Sequence, residues 1–293
     1  MQQRAVFSGK LLPLLLLLPQ IAVTLVFFFW PASQAIMQSV LQEDPFGLSS
    51  KLIWFDNFIE VFGNPDYLNS LWVTVLFSGS VSLLSLSIGL FLALQADRIV
   101  HGAVVYNTML VWPYAISAAV AGVLWLFLFN PTIGIVAFAL ARLGYDWNHL
   151  LNSGEAMTLV IAASTWNRVP YNFLFFLAGL QSIPKSLVEA SAIDGAGRFS
   201  RFWKIVFPLL MPTTFFLVVV NVVYAFFETF GVIHQITEGG PARATEILIY
   251  KVFYDGVIGL DLGGSAAQSV VLMTIVIALT VIQFRYIESK VNY

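Results

Sequence analysis

Six long apolar runs alternate with polar stretches along the chain, at about 11–31, 70–95, 105–129, 157–180, 208–230 and 266–286. Each is close to the roughly 20 residues that an α-helix needs to cross a bilayer. Helix is required of such runs, because backbone groups left unpaired in hydrocarbon are too costly. A transmembrane β-barrel would show short alternating segments instead, and the chain has none. The pattern predicts an all-α integral membrane protein of six transmembrane helices, in a single domain over residues 1–293.

The fourth and fifth runs are separated by a charged island at 181–207, carrying Lys185, Glu189, Asp194, Arg198, Arg201 and Lys204. Pro184 suits a helix start, and Ser182 or Ser186 is placed to cap one. Glu189 and Ala190 lie in helix-forming context, which Gly195 and Gly197 then break. Phe199, Phe202, Trp203 and Val206 follow on roughly one side of a second stretch. The spacing predicts a helix, a glycine turn and an amphipathic helix leading into the fifth span. On pattern alone this is either an interfacial helix or a docking element for a partner.

Composition agrees with the membrane reading. Of 293 residues, 59% are hydrophobic and only 10% charged, where soluble domains carry about a quarter. The absence of cysteine excludes disulfides and thiol chemistry. His101, His149 and His234 are too far apart in sequence to suggest a metal cluster. The first run is longer than a signal-peptide core and is read as an uncleaved span. Charge then orients the helices. Arg4, Lys10, Arg98, Lys185, Arg198, Arg201, Lys204, Arg285 and Lys290 fall in the termini and the second and fourth connections. The other connections hold only Lys51, Arg142, Arg243 and Lys251. The positive-inside rule puts both termini and the island in the cytoplasm.

Small residues Ser78, Ser82, Ser85 and Gly89 recur at helical spacing in the second run, a face for close helix packing. Pro113, Pro170 and Pro212, inside or at the edge of spans, each favour a kink or break. Two ionisable residues also lie in spans: Arg168 near the middle of the fourth and Glu228 near the outer end of the fifth. A central arginine costs about 2.5–3.5 kcal/mol on insertion scales. Arg168 therefore faces either a structural partner or a path, and Glu228 has the same two readings. On the path reading, Asn167, Arg168, Asn172 and Glu228 line a polar route through the membrane, and the cation favours an anionic solute. No phosphate loop of the form G-x-x-x-x-G-K-[ST] is present, and no catalytic triad spacing. The chain is read as non-catalytic, with no metal site and no nucleic-acid partner.

Glu189-Ala190, Gly195, Ile205 and Pro208 match the EAA motif, E-A-A-x3-G-x9-I-x-L-P, with Ser191 and Phe207 as departures. The chain thus resembles the membrane subunits of bacterial ATP-binding-cassette importers. Ile193-Asp194-Gly195-Ala196 and Thr237-Glu238-Gly239-Gly240-Pro241 are similar to the maltose-transporter-like branch. Asp44–Gly47, Tyr145–His149, Tyr171–Phe176, Ser265–Ser269 and Gln283–Tyr286 resemble the members that import sn-glycerol-3-phosphate. The resemblance implies a bacterial inner-membrane permease with no cofactor of its own. Its implied partners are a second homologous permease subunit, two cytoplasmic ATPase subunits that use ATP, and an external solute-binding protein. It further implies that Glu189, Ala190, Asp194, Gly195 and Gly197 of the island couple to the ATPase. A permease for a neutral sugar or oligosaccharide is the alternative, and an ion-gradient-driven carrier is the rival of another class.

Overall fold

The computed structural model describes residues 11–43, 49–97 and 102–287, so Arg4, Lys10, Asp44–Gly47, Arg98, His101 and Lys290 lie outside the described residues. The apolar runs form helices in chain order. The long ones are α1 (Leu12–Gln38), α2 (Pro65–Ala96), the pair α3 (Val104–Ala115) and α4 (Ala118–Phe129), α5 (Ser153–Ser182), α7 (Arg198–Glu228) and α8 (Leu262–Arg285), with the short α6 (Lys185–Ile193) in the island between α5 and α7. Among the described residues four helices are long and apolar enough to cross a membrane, and five if α3 and α4 form one broken span. α5, which covers the expected fourth span, has the length but holds Asn167, Arg168 and Asn172 in its middle.

Contacts divide the chain into two units. One holds the residues to Asn64 with Val252–Val271, and the other holds Pro65–Lys251 with the residues from Leu272. In the first unit α1 shows its Leu and Phe side chains on all sides, with none of its apolar window buried. That surface suits lipid rather than water. A short hairpin of Leu41–Glu43 and Ser50–Leu52 follows, with Leu41 opposite Leu52. Asn57 ties it down, donating to the carbonyls of Ser39 and Leu41, both at 2.9 Å.

In the second unit α2 and α5 make the most extensive helix contact. The small-residue face explains why. A Cβ on Gly89 would lie 2.7 Å from Asn172 Cβ and 3.1 Å from the Phe173 nitrogen. Glycine lets the two backbones approach, and dispersion over that contact replaces the hydrophobic drive that lipid removes. Gly89→Leu is therefore expected to separate α2 from α5 and cost about 1–3 kcal/mol. Its readout is the yield of monodisperse protein after extraction, and wild-type yield would contradict the packing role. Ala93, Ala96, Phe173, Phe176, Leu177, Leu180, Leu210 and Leu217 form the core where α2, α5 and α7 run toward the 181–207 island.

The prolines behave unequally. α3 and α4 meet at 101°, across a tight turn at Trp112–Ala115 that contains Pro113. Pro170 and Pro212 instead sit inside continuous helices. One hydrogen bond lost from a helix of such length leaves the ladder on either side intact. At Pro113 the chain also leaves helical geometry, Ile116 being extended, and side chains take over the freed backbone groups. Ser117 restarts the helix, its hydroxyl accepting from the Val120 N–H at 3.4 Å.

Candidate functional site

Asn167 secures the break between α3 and α4. Its Nδ2 donates to the carbonyls of Pro113 and Ile116 at 3.4 and 3.0 Å, and its Oδ1 accepts from the Tyr224 hydroxyl at 3.4 Å. Irregular backbone at membrane depth needs such partners. Asn167, from α5, supplies two of them.

Arg168, on the neighbouring position, is only 5% exposed. Its Nε donates to Asn221 Oδ1 and its Nη2 to the Val220 carbonyl, both at 3.3 Å. The guanidinium carbon lies over the rings of Tyr171, 4.1 Å from the centroid, and Tyr224, at 4.5 Å. Two aromatic faces and two neutral oxygens thus hold the cation. No carboxylate pairs with it among the described residues, whose ion pairs involve Arg243 and Lys251. The guanidinium is thus stabilised by neutral groups without a carboxylate in hydrogen-bonding contact.

Asn172 is fully buried and bonded reciprocally to Asn221. Asn221 Nδ2 donates to Asn172 Oδ1 at 2.7 Å, and Asn172 Nδ2 donates to Asn221 Oδ1 at 3.2 Å. Gly89, on the other side, completes its enclosure. Glu228 is exposed at the end of a π-helical turn, Tyr224–Glu228, and joins none of these bonds. Of the four residues read as a path, the structure gathers Asn167, Arg168 and Asn172 around Tyr224 and Asn221, while Glu228 joins none of their hydrogen bonds but is close enough for its carboxylate to act on the Arg168 charge. Sequence reasoning missed Asn221 as a member. Its signal was an amide alone in the apolar run Phe215–Val223, a position that demands a buried partner.

The island has a defined backbone. α6 starts after Pro184 without a side-chain cap, so neither Ser182 nor Ser186 fills that role. Ser182 instead donates to the Gly179 carbonyl at 2.7 Å and stays with α5. α6 ends in a paired closure, with Gly195 N–H bonded to the Ala192 carbonyl at 3.1 Å and Ala196 N–H to the Ser191 carbonyl at 3.0 Å. Closure of this kind puts its penultimate residue in the left-handed region, and Gly195 has φ +77°. Gly197 then precedes α7 in extended geometry. Glu189, Ala190, Asp194, Gly195 and Gly197 are all exposed, while Ser191 is buried. The Ser191 hydroxyl bonds its own helix at the Val188 carbonyl, 2.7 Å away, so a serine replaces alanine there without stranding a donor. Beneath α6 lies a cleft of about 860 Å³ whose lining includes Asp97, Lys185, Glu189, Arg198 and Arg201. Ile193 and Phe199 stand out from the island, 87% and 78% exposed.

On the opposite end of α5, Glu155 in its first turn gathers the preceding loop. It accepts from the Tyr145 hydroxyl at 2.9 Å and the Asn148 N–H at 2.6 Å, while Asn152 caps the helix. That bond to Glu155 holds the Tyr145 hydroxyl above its ordinary pKa. Burial lowers the pKa of His149 nearby, with the Glu155 carboxylate opposing. Beyond α7, Glu246 accepts from Ser70 at 3.2 Å and pairs with Lys251 at 3.8 Å and Arg243 at 3.7 Å. Arg243 also pairs with Asp66. The connection 237–246, with its Gly-Gly-Pro, is thereby fastened to the start of α2. Among the described residues no group of three His, Asp or Glu is placed to hold a metal.

Residues 6–293 match the family described as binding-protein-dependent transport system inner membrane component. The chain is 60% identical to the sn-glycerol-3-phosphate transport system permease protein UgpA of Rhizobium meliloti (strain 1021), over 99% of both chains. It is 57% identical to the protein of that description from Brucella abortus biovar 1, again over 99% of both. With Yersinia pseudotuberculosis serotype I the identity is 56%, over 98% of both. In structure it is similar to a bacterial ABC transporter involved in import of the acidic polysaccharide alginate, with TM-score 0.84, 20% identity and 97% of each chain covered. The MetNI methionine ABC transporter in an inward-facing form gives TM-score 0.54 at 15% identity, over 77% of this chain and 96% of that one.

Proposed function

The chain belongs to the family of binding-protein-dependent transport system inner membrane components, and from that membership we propose how its buried arginine and its 181–207 island share the work of import. The protein is a permease subunit of an ATP-binding-cassette importer for sn-glycerol-3-phosphate. Support comes from relatives of that description at 56–60% identity over nearly the whole chain. It is a multi-pass protein of the inner membrane, and ATP hydrolysis belongs to a separate subunit.

In the finer reading, six spans cross the membrane, α3 and α4 together forming the third and α5 the fourth. Both termini and the island lie in the cytoplasm. This chain and a second, homologous permease subunit enclose the path, two ATPase subunits sit below, and a solute-binding protein delivers the solute from outside. α6 docks in the ATPase, with Glu189 making the polar contact, Ala190 allowing close approach, and Asp194, Gly195 and Gly197 setting the turn. Closure of the ATPase pair on ATP moves α6 and, through it, the attached ends of α5 and α7. Arg168 stands between those two helices, so it moves with them and meets the phosphate of the solute in the path. Asn167 shapes the path by holding the α3–α4 break, Asn172 by fixing α5 to α7, and Glu228 lies toward its outer mouth. The observation that carries this reading is the guanidinium of Arg168, buried and held without a carboxylate.

Purification of the tagged chain in mild detergent tests the assembly. An ATPase subunit and a second permease chain are expected to copurify in stoichiometric amounts. Solute uptake by this chain alone, driven by an ion gradient, would overturn the reading.

A further inference from the structure

Asn221 is fully buried, and hydrogen bonds from three helices converge on it. Its Oδ1 accepts from Ser85 Oγ of α2 at 3.1 Å, Asn172 Nδ2 of α5 at 3.2 Å and Arg168 Nε at 3.3 Å. Its Nδ2 donates to Asn172 Oδ1 and to the Leu217 carbonyl, both at 2.7 Å. The amide is therefore fixed from both ends, and its oxygen has one orientation available. The usual partner for a buried guanidinium is a carboxylate, which pairs in two bonds and cancels the charge. Here every group that touches Arg168 is neutral: an amide oxygen, a backbone carbonyl and two tyrosine rings.

We propose that Asn221 is a positioning residue for solute recognition, which fixes the Arg168 guanidinium through a neutral, three-helix-anchored oxygen and so leaves its positive charge uncancelled by any hydrogen-bonded carboxylate and open to a phosphate-bearing solute. This rests on the reading that Arg168 meets the solute. The choice of amide over carboxylate sets the sign of the site. An aspartate at 221 would have the same shape and would pair with Arg168, turning an anion seat into a neutral one. Aspartate also loses the two N–H donors that Asn221 gives to Asn172 and Leu217, so a purely structural asparagine would lower the amount of assembled complex in both Asn221→Asp and Asn221→Ala and leave the solute moved per ATP in what assembles unchanged.

The test compares Arg168→Gln, Asn221→Asp and Asn221→Ala in the whole complex, reconstituted in proteoliposomes with loaded binding protein. The readout is sn-glycerol-3-phosphate moved per ATP hydrolysed, a ratio that partial loss of assembled complex leaves unchanged. Arg168→Gln and Asn221→Asp are both expected to lower it about ten- to a hundredfold, the scale of a charge-assisted hydrogen bond. Asn221→Ala is expected to lower it less, because the charge survives. A normal ratio in Arg168→Gln overturns the reading of Arg168 itself. A lowered ratio in Arg168→Gln beside a normal one in Asn221→Asp overturns the role of Asn221 alone, as does Asn221→Asp performing better than Asn221→Ala. If the aspartate variant does not assemble, Asn221→Ser decides. Its shorter, neutral side chain releases Arg168, so the ratio falls several-fold if Asn221 positions the cation and stays at wild type if it does not.

Discussion

Gly195→Pro is expected to abolish ATP-driven import while leaving the permease inserted in the membrane. Gly195 has φ +77° and no atom within 4 Å of where a Cβ would stand, so its requirement is one of backbone and not of space. Proline fixes φ near −65° and has no N–H. It therefore cannot close α6 on the Ala192 carbonyl, and the chain leaves the island in another direction. Gly195→Ala keeps the N–H and adds only left-handed strain, about 1–2 kcal/mol, so partial import survives. Glu189→Ala removes an exposed carboxylate that makes no ion pair among the described residues. Its loss is expected to cost this chain little stability and, if α6 docks on the ATPase through it, to lower transport. Uptake into proteoliposomes, read beside the amount of copurifying ATPase, checks the series. Wild-type uptake in Glu189→Ala and Gly195→Pro would remove the island from the coupling.

Arg168→Ala is expected to abolish sn-glycerol-3-phosphate import, with Arg168→Lys in between. Alanine removes the charge and the two contacts that join α5 to Val220 and Asn221. Lysine keeps the charge but not the planar fork that lies between the Tyr171 and Tyr224 rings. A cation needed only for packing would give a different order, because lysine in this enclosed site brings a strongly hydrated ammonium with fewer fixed partners. Uptake rates of the two variants at equal levels of assembled complex distinguish these cases. Equal, normal uptake in both takes Arg168 out of the path.

The helical runs were legible in the sequence because hydrocarbon leaves the backbone few alternatives. The break at Pro113 was legible only as one of three equal candidates. What separates it from Pro170 and Pro212 is tertiary: Asn167, some fifty residues later, accepts the burden of its carbonyls. The island's turn was readable from Gly195, since a left-handed closure is a local demand. The capping serines were misjudged for a local reason too, Ser182 being closer to the Gly179 carbonyl than to the next helix. Arg168 announced itself by its cost in a span. Its setting did not, because Asn221 and Tyr224 approach it from a helix more than fifty residues away, and no periodicity in either run records that meeting. Glu228, marked by the same rule as Arg168, sits at the exposed end of α7, where the rule loses its force.

Import of an anionic solute at the expense of ATP is the activity on which the island and the Arg168 site converge. The most direct measurement is uptake by the reconstituted complex, with ATP inside the vesicles, of labelled sn-glycerol-3-phosphate against a neutral sugar of similar size, each supplied with a binding protein that delivers it. sn-Glycerol-3-phosphate is expected to accumulate only when ATP is hydrolysed, and the sugar is expected not to accumulate. Equal accumulation of the sugar, or accumulation of sn-glycerol-3-phosphate without ATP, would contradict that activity.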